Sequence, residues 1–285
     1  MRVVHTRAEV REWSRSQRIS RRSIGLVPTM GSLHEGHISL VGLAAEAADA
    51  TILSIFVNPL QFAPSEDFDR YPRDLEADLE KSSAAGVDLV FAPSVAEMYP
   101  QGRPWAVIVP ERGADVLCGR TRPGHFSGVL TVVSKLLSIA TPDIAVFGLK
   151  DYQQLTLIRR MVVDLDHAVE IVPAPIVREP DGLALSSRNR YLSESDRRLA
   201  GRLSGALREC EYLFQEGERS ASAFRDGMAA IDGEGVSLEY AEVVHPDTLE
   251  PLDEVERGTV CALAARVGST RLIDNHALGN LFNRG

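Results

Sequence analysis

Between Ser23 and Ala174, short continuous apolar runs alternate with segments of helical period, and this alternation constrains the fold more than any other feature of the chain. SIGLVPT at 23–29 reads as a buried strand. A helix from about His37 follows, with Leu40, Leu43, Ala44 and Ala47 on one face, and TILSIFV at 51–57 is the next strand. A charged helix from about Asp74 to Ala85 leads into VDLVFAP, VLTVVSKLLSIA leads into DIAVFG, and YQQLTLIRRMVVDL leads into AVEIVPA. Strands apolar along their whole length need cover on both faces, which predicts a Rossmann-like, doubly wound parallel sheet of the α/β class.

The alternation stops at VPAPIVREPDG, where prolines cluster, and the domain boundary is expected near residue 176. Residues 1–176 then form the first, larger domain and 177–285 a smaller α+β domain. The smaller domain begins with a helix capped by Ser193 with Asp196 in its first turn, continues with a second helix, and ends in the strand-like runs SLEYAEVVHP, TVCALAARVG and TRLIDN. ALGNLFNRG at the end reads as a loose tail.

The 285 residues carry a formal charge of −9, which argues against a nucleic-acid-coating or membrane-binding surface, so any anionic ligand must be caught locally. Cys118, Cys210 and Cys261 are odd in number and form no CxxC pair, which suits a reducing compartment. No stretch approaches the ~18 apolar residues of a membrane span, and MRVVHTRAEVREWSRSQR lacks a signal-peptide core, so a cytoplasmic location is expected.

The first strand runs directly into PTMGSLHEGH at 28–37. Zinc proteases need histidines at i and i+4 on a helix, whereas His34 and His37 are three apart with a glycine between them. A Walker loop needs a lysine that is absent here. On residue types alone an ordinary glycine turn stays open. The position favours a ligand, because open α/β sheets bind at the C-terminal ends of their strands and helix N-termini attract phosphates. Imidazoles there can donate hydrogen bonds as charge develops on phosphate oxygens.

PTMGSLHEGH resembles the HIGH signature of the nucleotidyltransferase superfamily. With FVNPLQF, DRYPRDLEAD, RPGHFSGVLTVVSKL, FGLKDYQQL, DGLALSSRNRYLS and RLIDN in order, the chain is similar over nearly its whole length to the pantoate–β-alanine ligase family. The resemblance implies ATP-dependent ligation of pantoate with β-alanine through a pantoyl adenylate, releasing pyrophosphate and AMP. It places ATP between the His34/His37 loop and LSSR, with GLKD under the nucleotide. The implied nucleotide contacts are Met30, Gly31, Ser32, Leu33, His34, Glu35, Gly36, His37, Gly148, Leu149, Lys150, Asp151, Val177, Leu185, Ser186, Ser187 and Arg188. Among these His37, His34, Lys150 and Arg188 are the implied catalytic residues.

Gln61 and Gln154 are implied to hold pantoate, with Asn58, Tyr71, Arg122 and His125 as further lining of the pantoate or β-alanine pocket. Asp78, or nearly as well Glu76, is expected to help hold Mg²⁺. A homodimer is implied, with no nucleic-acid or membrane partner. Leu149, Leu185, Ser32 and Leu60 depart from the usual family residues, and none removes a side chain assigned to chemistry; Leu149 leaves the surroundings of Lys150 less acidic. The alternatives are another HIGH-type nucleotidyltransferase that keeps an adenylate-like product, and a catalytically silent nucleotide-binding regulator.

Overall fold

A computed structural model describes residues 1–63, 66 and 68–280. Along the chain the elements are β1 (Arg2–Val4), α1 (Arg7–Ile19), β2 (Ile24–Thr29), α2 (Glu35–Ala47), β3 (Ala50–Ile55), α3 (Leu75–Ala84), β4 (Leu89–Phe91), α4 (Val95–Met98), α5 (Leu117–Thr121) and α6 (His125–Ala140). They continue with β5 (Ile144–Gly148), α7 (Tyr152–Asp164), β6 (Glu170–Ala174), α8 (Glu194–Gln215), α9 (Ala221–Ala229), β7 (Val236–Val244), β8 (Val260–Val267) and β9 (Thr270–Ala277).

Two compact units emerge. The first comprises 1–111, 122–149 and 157–174; the second comprises 112–121, 150–156 and 175–285. A single boundary at 176 therefore misses two excursions, because 112–121 and the start of α7 belong with the C-terminal residues. Gln153 on α7 shows why: its amide accepts the Cys118 N–H at 3.0 Å and donates to the Gly113 and Val116 carbonyls at 2.8 Å each.

The first unit holds a six-stranded parallel sheet in the order β1-β4-β3-β2-β5-β6. Its central strands are buried on both faces, as their unbroken apolar runs require. Winding reverses between β2 and β5, which pair through Gly25 with Ile144 and Leu26 with Ala145. The carboxyl ends of these two strands form the crevice in which sheets of this type bind ligands. β1 is an element the periodicity did not reveal; α2 begins at Glu35, slightly before the expected start.

The second unit packs α8 and α9 on an antiparallel sheet ordered β7-β8-β9. Leu203, Leu207, Phe224, Met228, Cys261 and Leu263 form its core. Ser193 caps α8, accepting the Asp196 N–H at 3.1 Å. The expected tail starts later than at Ala277, since that residue ends β9 and Leu278 is fully buried; 281–285 lie outside the described residues. Among the described residues no helix is long and apolar enough to cross a membrane.

Candidate active site

In the first unit the chain leaves β2 and turns through Met30–Leu33 into α2. Gly31 (φ +81°) and Ser32 (φ +52°) are successive left-handed residues. Glycine adopts this conformation freely, whereas serine does so at a cost on the order of 1–2 kcal/mol. Side chains hold the turn. Thr29 Oγ1 accepts the Gly31 N–H at 3.2 Å, and Asp78 on α3 accepts the Ser32 N–H at 2.8 Å and the Leu33 N–H at 2.7 Å. Lys81 Nζ donates to the Leu33 carbonyl at 2.6 Å.

The backbone N–H groups of Ser32 and Leu33 are engaged by Asp78, and the Leu33 side chain is buried, so Leu33 braces the loop. Asp78 is itself buried, with both carboxylate oxygens turned onto backbone N–H groups, and a cation there would face the positive ends of those dipoles. It does not fit a magnesium ligand. Glu76 is exposed on the same helix, and no group of three or more metal-binding side chains forms among the described residues.

His34 is the N-cap of α2, with extended backbone and its carbonyl accepting the His37 N–H at 2.7 Å and the Ile38 N–H at 3.1 Å. The His34 N–H in turn donates to His37 Nδ1 at 3.3 Å, and the two rings lie 4.1 Å apart between centroids. A ring nitrogen that accepts an N–H carries no proton, so neutral His37 has its hydrogen on Nε2. Both rings are half-buried, Glu35 is exposed and Gly36 is half-buried. By helix geometry the first N–H groups of α2 have no intrahelical acceptor, which makes this end suited to anions.

Gln61 sits in a 3-10 turn (Pro59–Gln61) after β3 and reaches back to the same loop, its Nε2 lying 3.0 Å from Met30 Sδ. Asn58 is 1% exposed and fully committed. Its Nδ2 donates to Gln61 Oε1 at 3.2 Å and to the Gly128 carbonyl at 3.1 Å, and its Oδ1 accepts from Tyr99 Oη at 2.9 Å. Burial pushes the Tyr99 phenol well up, so it stays a neutral donor.

Arg122 forms a fork on Glu66 (2.6 and 2.8 Å), contacts His125 Nε2 at 3.0 Å and donates to the Gln61 carbonyl at 3.3 Å. His125 Nδ1 lies 2.8 Å from that same carbonyl, which only accepts, so Nδ1 carries the hydrogen and Nε2 accepts from Arg122. Burial pushes the Glu66 carboxyl up, but the Arg122 hydrogen bond and charge outweigh it and hold it below the usual range. Tyr71 is buried edge-on against Phe62, 6.0 Å between centroids. Asn58, Arg122 and His125 thus hold the turn that presents Gln61, and Tyr71 packs on the neighbouring Phe62. At the switch point β5 ends in Gly148, where an added Cβ would meet nothing within 4 Å, leaving room for a ligand.

In the second unit Lys150 is half-buried, and its carbonyl accepts from Asn275 Nδ2 at 2.9 Å. Asp151 is exposed and Gln154 half-buried on α7. Val177 and Leu185 face each other across a turn, the Leu185 N–H donating to the Val177 carbonyl at 3.0 Å. Arg178 pins this turn with a fork on Asp274 (2.6 and 3.0 Å) and a hydrogen bond to the Gly182 carbonyl at 3.1 Å. Ser186 caps the following 3-10 turn (Ser187–Tyr191), its Oγ accepting the Arg188 N–H at 3.3 Å, which leaves the hydroxyl hydrogen for another acceptor. Ser187 and Arg188 are half-buried.

Arg178, Asp274 and Asn275 had no assigned role from sequence. The signal was an aspartate inside the strand-like run TRLIDN, since a charge in a buried strand needs a partner.

Comparison with known proteins identifies the family. The family described as Pantoate-beta-alanine ligase matches residues 2–277. A pantothenate synthetase of Acetivibrio thermocellus is 54% identical over 277 residues, covering 96% of this chain and 98% of its own. The crystal structure of pantothenate synthetase from Thermus thermophilus superposes with a TM-score of 0.91 at 44% identity, covering 97% of this chain and 99% of that one. The pantoate-beta-alanine ligase of Francisella tularensis, complexed with beta-gamma ATP and beta-alanine, gives a TM-score of 0.83 at 35% identity over 99% of this chain and 100% of that one. Sequence and architecture agree along the whole chain, which therefore belongs to the pantoate-beta-alanine ligase family and is a ligase.

Proposed function

We propose that the chain makes pantothenate from ATP, pantoate and β-alanine through a pantoyl adenylate. The observation that carries this reading is the His34/His37 pair at the start of α2, beside the switch point of the sheet, with the His37 hydrogen on Nε2. In the first step a pantoate carboxylate oxygen attacks the α-phosphorus of ATP, and the bond to the oxygen bridging to the β-phosphorus breaks, releasing pyrophosphate. In the second step the β-alanine amine attacks the acyl carbon, the bond to AMP breaks, and the amine loses a proton.

Activation comes from the mixed anhydride, so no side-chain nucleophile is needed, and the protein's part is positioning and charge stabilisation. His37 and His34 donate to phosphate oxygens, and Lys150 and Arg188 supply positive charge, Arg188 as a fork and Lys150 as a point charge. Ser186 and Ser187 donate hydroxyl hydrogens, while Gly148, Leu149, Asp151, Val177 and Leu185 contact the nucleoside. Gln61 and Gln154 orient pantoate. Magnesium enters as part of the nucleotide substrate, held by phosphate oxygens and water, as this ion commonly is.

Incubation of the protein with MgATP, pantoate and β-alanine tests this reading. AMP, pyrophosphate and a pantothenate-mass product should form in equal amounts; formation of ADP, or of AMP without the amide, would contradict it. A homodimer in the cytoplasm completes the proposal. Three exposed apolar side chains at alternate positions, Trp105, Val107 and Val109, support self-association, and the free buried cysteines Cys118, Cys210 and Cys261 suit a reducing compartment. Sedimentation equilibrium should give twice the chain mass.

A further inference from the structure

Asp78 is a buried carboxylate that the proposed chemistry leaves without a task. It lies on α3, 2% exposed, and its two oxygens receive the N–H groups of successive residues, Ser32 at 2.8 Å and Leu33 at 2.7 Å. Hydrogen bonds to an ionised acceptor are roughly twice as strong as neutral ones. Lys81 lies on the same face of α3 and donates to the Leu33 carbonyl at 2.6 Å, so both backbone groups of Leu33 are held by one helix.

The loop needs such a clamp. Gly31 and Ser32 are both left-handed, and a Cβ at Gly31 would stand 2.7 Å from Asp78 Oδ2, so the carboxylate approaches the backbone through the space glycine leaves. His34 follows Leu33 directly, and its N–H orients the His37 ring. Loss of the carboxylate would leave the buried Leu33 N–H and the half-buried Ser32 N–H without an acceptor at the point from which both histidines are aimed.

We infer that Asp78, assisted by Lys81, is a positioning residue that sets the Gly31–His34 loop and through it the His34/His37 donors. The inference rests on the proposed role of those histidines and assigns Asp78 no contact with the cation or with substrate. Its signature is a loss of turnover without a change in metal requirement.

Asp78→Asn tests it, because the amide keeps one acceptor oxygen but turns an NH₂ toward the second N–H. Steady-state turnover is measured against ATP and against free Mg²⁺, with backbone amide exchange followed at Ser32 and Leu33. The expected kcat loss is about 100-fold, the scale of a misplaced catalytic group, with KM for ATP and half-saturating Mg²⁺ each within about threefold. Exchange at the two amides should accelerate. A half-saturating Mg²⁺ concentration raised about tenfold, with amide protection retained, would make Asp78 a metal ligand and overturn the inference.

Should Asp78→Asn fail to fold, Lys81→Met, at an exposed position, carries the test: faster exchange at Leu33 with reduced kcat supports the clamp, and wild-type values of both overturn it. A wild-type protein without pantoate-dependent turnover would defeat the proposed function, whereas amide exchange would still decide the role of Asp78.

Discussion

The backbone N–H of His34 donates to Nδ1 of His37 at 3.3 Å, and this one bond assigns the His37 hydrogen to Nε2. In this tautomer the Nε2–H is the hydrogen that His37 can offer to an acceptor. A glutamine places an amide N–H near the position of Nε2–H. We therefore expect His37→Ala to lower the adenylation rate by about 10²–10³, the scale of a lost transition-state donor, and His37→Gln to recover about tenfold of that loss. Equal rates for the two variants in single-turnover adenylation would mean that proton transfer by imidazole is required.

Gly128 on α6 is where the helix meets the turn that carries Gln61. An added Cβ would overlap the Leu60 carbonyl and lie 2.7 Å from the Gln61 nitrogen. Gly128→Ala should displace Gln61 and raise KM for pantoate by about tenfold or more, as expected for a misplaced substrate contact. A pantoate saturation curve matching wild type would remove Gln61 from the pantoate site.

Arg178 and Asp274 form an ion pair with side chains 3% and 2% exposed. Removing one partner strands a buried charge, and Asp274→Ala should cost about 3–5 kcal/mol in chemical denaturation, while the double variant Arg178→Met/Asp274→Leu should cost less than the single one. Equal losses would mean that packing, not charge, dominates there.

His276 faces Glu211 at 2.8 Å, with Arg178 and Asp274 close by. Burial pushes its pKa below the ordinary value of 6.5, and the pull of Glu211 only partly offsets this. Folding therefore releases a proton from a protonated histidine, so the contribution to stability is fully present above the ordinary value and falls as pH drops through it toward the lower folded value. Denaturation midpoints between about pH 8 and pH 5 should show this acid loss, and His276→Gln should flatten it. An unchanged slope would assign the acid sensitivity to carboxylates.

Much of the parallel sheet was legible because β2, β3, β4 and β5 lie in apolar runs and the strands after β2 are each reached through a helical segment. β1 was not, since three residues are too few to show a pattern and its place depends on pairing with β4. The second unit's claim on 112–121 was equally hidden, for it rests on long-range contacts such as Cys118 with Gln153 and with Tyr240 Oη at 3.2 Å. Motif reading found the residue types of the site but not who holds whom. Asn58 shares a motif with Gln61, but Arg122, His125 and Asp78 lie in other motifs farther along the chain, and only their partners show that they brace the turns carrying Gln61 and His34.

The central claim is that the chain activates pantoate as an adenylate before β-alanine is used. Pyrophosphate exchange into ATP, measured without β-alanine, tests it most directly. The account predicts exchange of labelled pyrophosphate that depends on pantoate; no exchange in the presence of ATP, Mg²⁺ and pantoate, while pantothenate still forms when β-alanine is added, would contradict it.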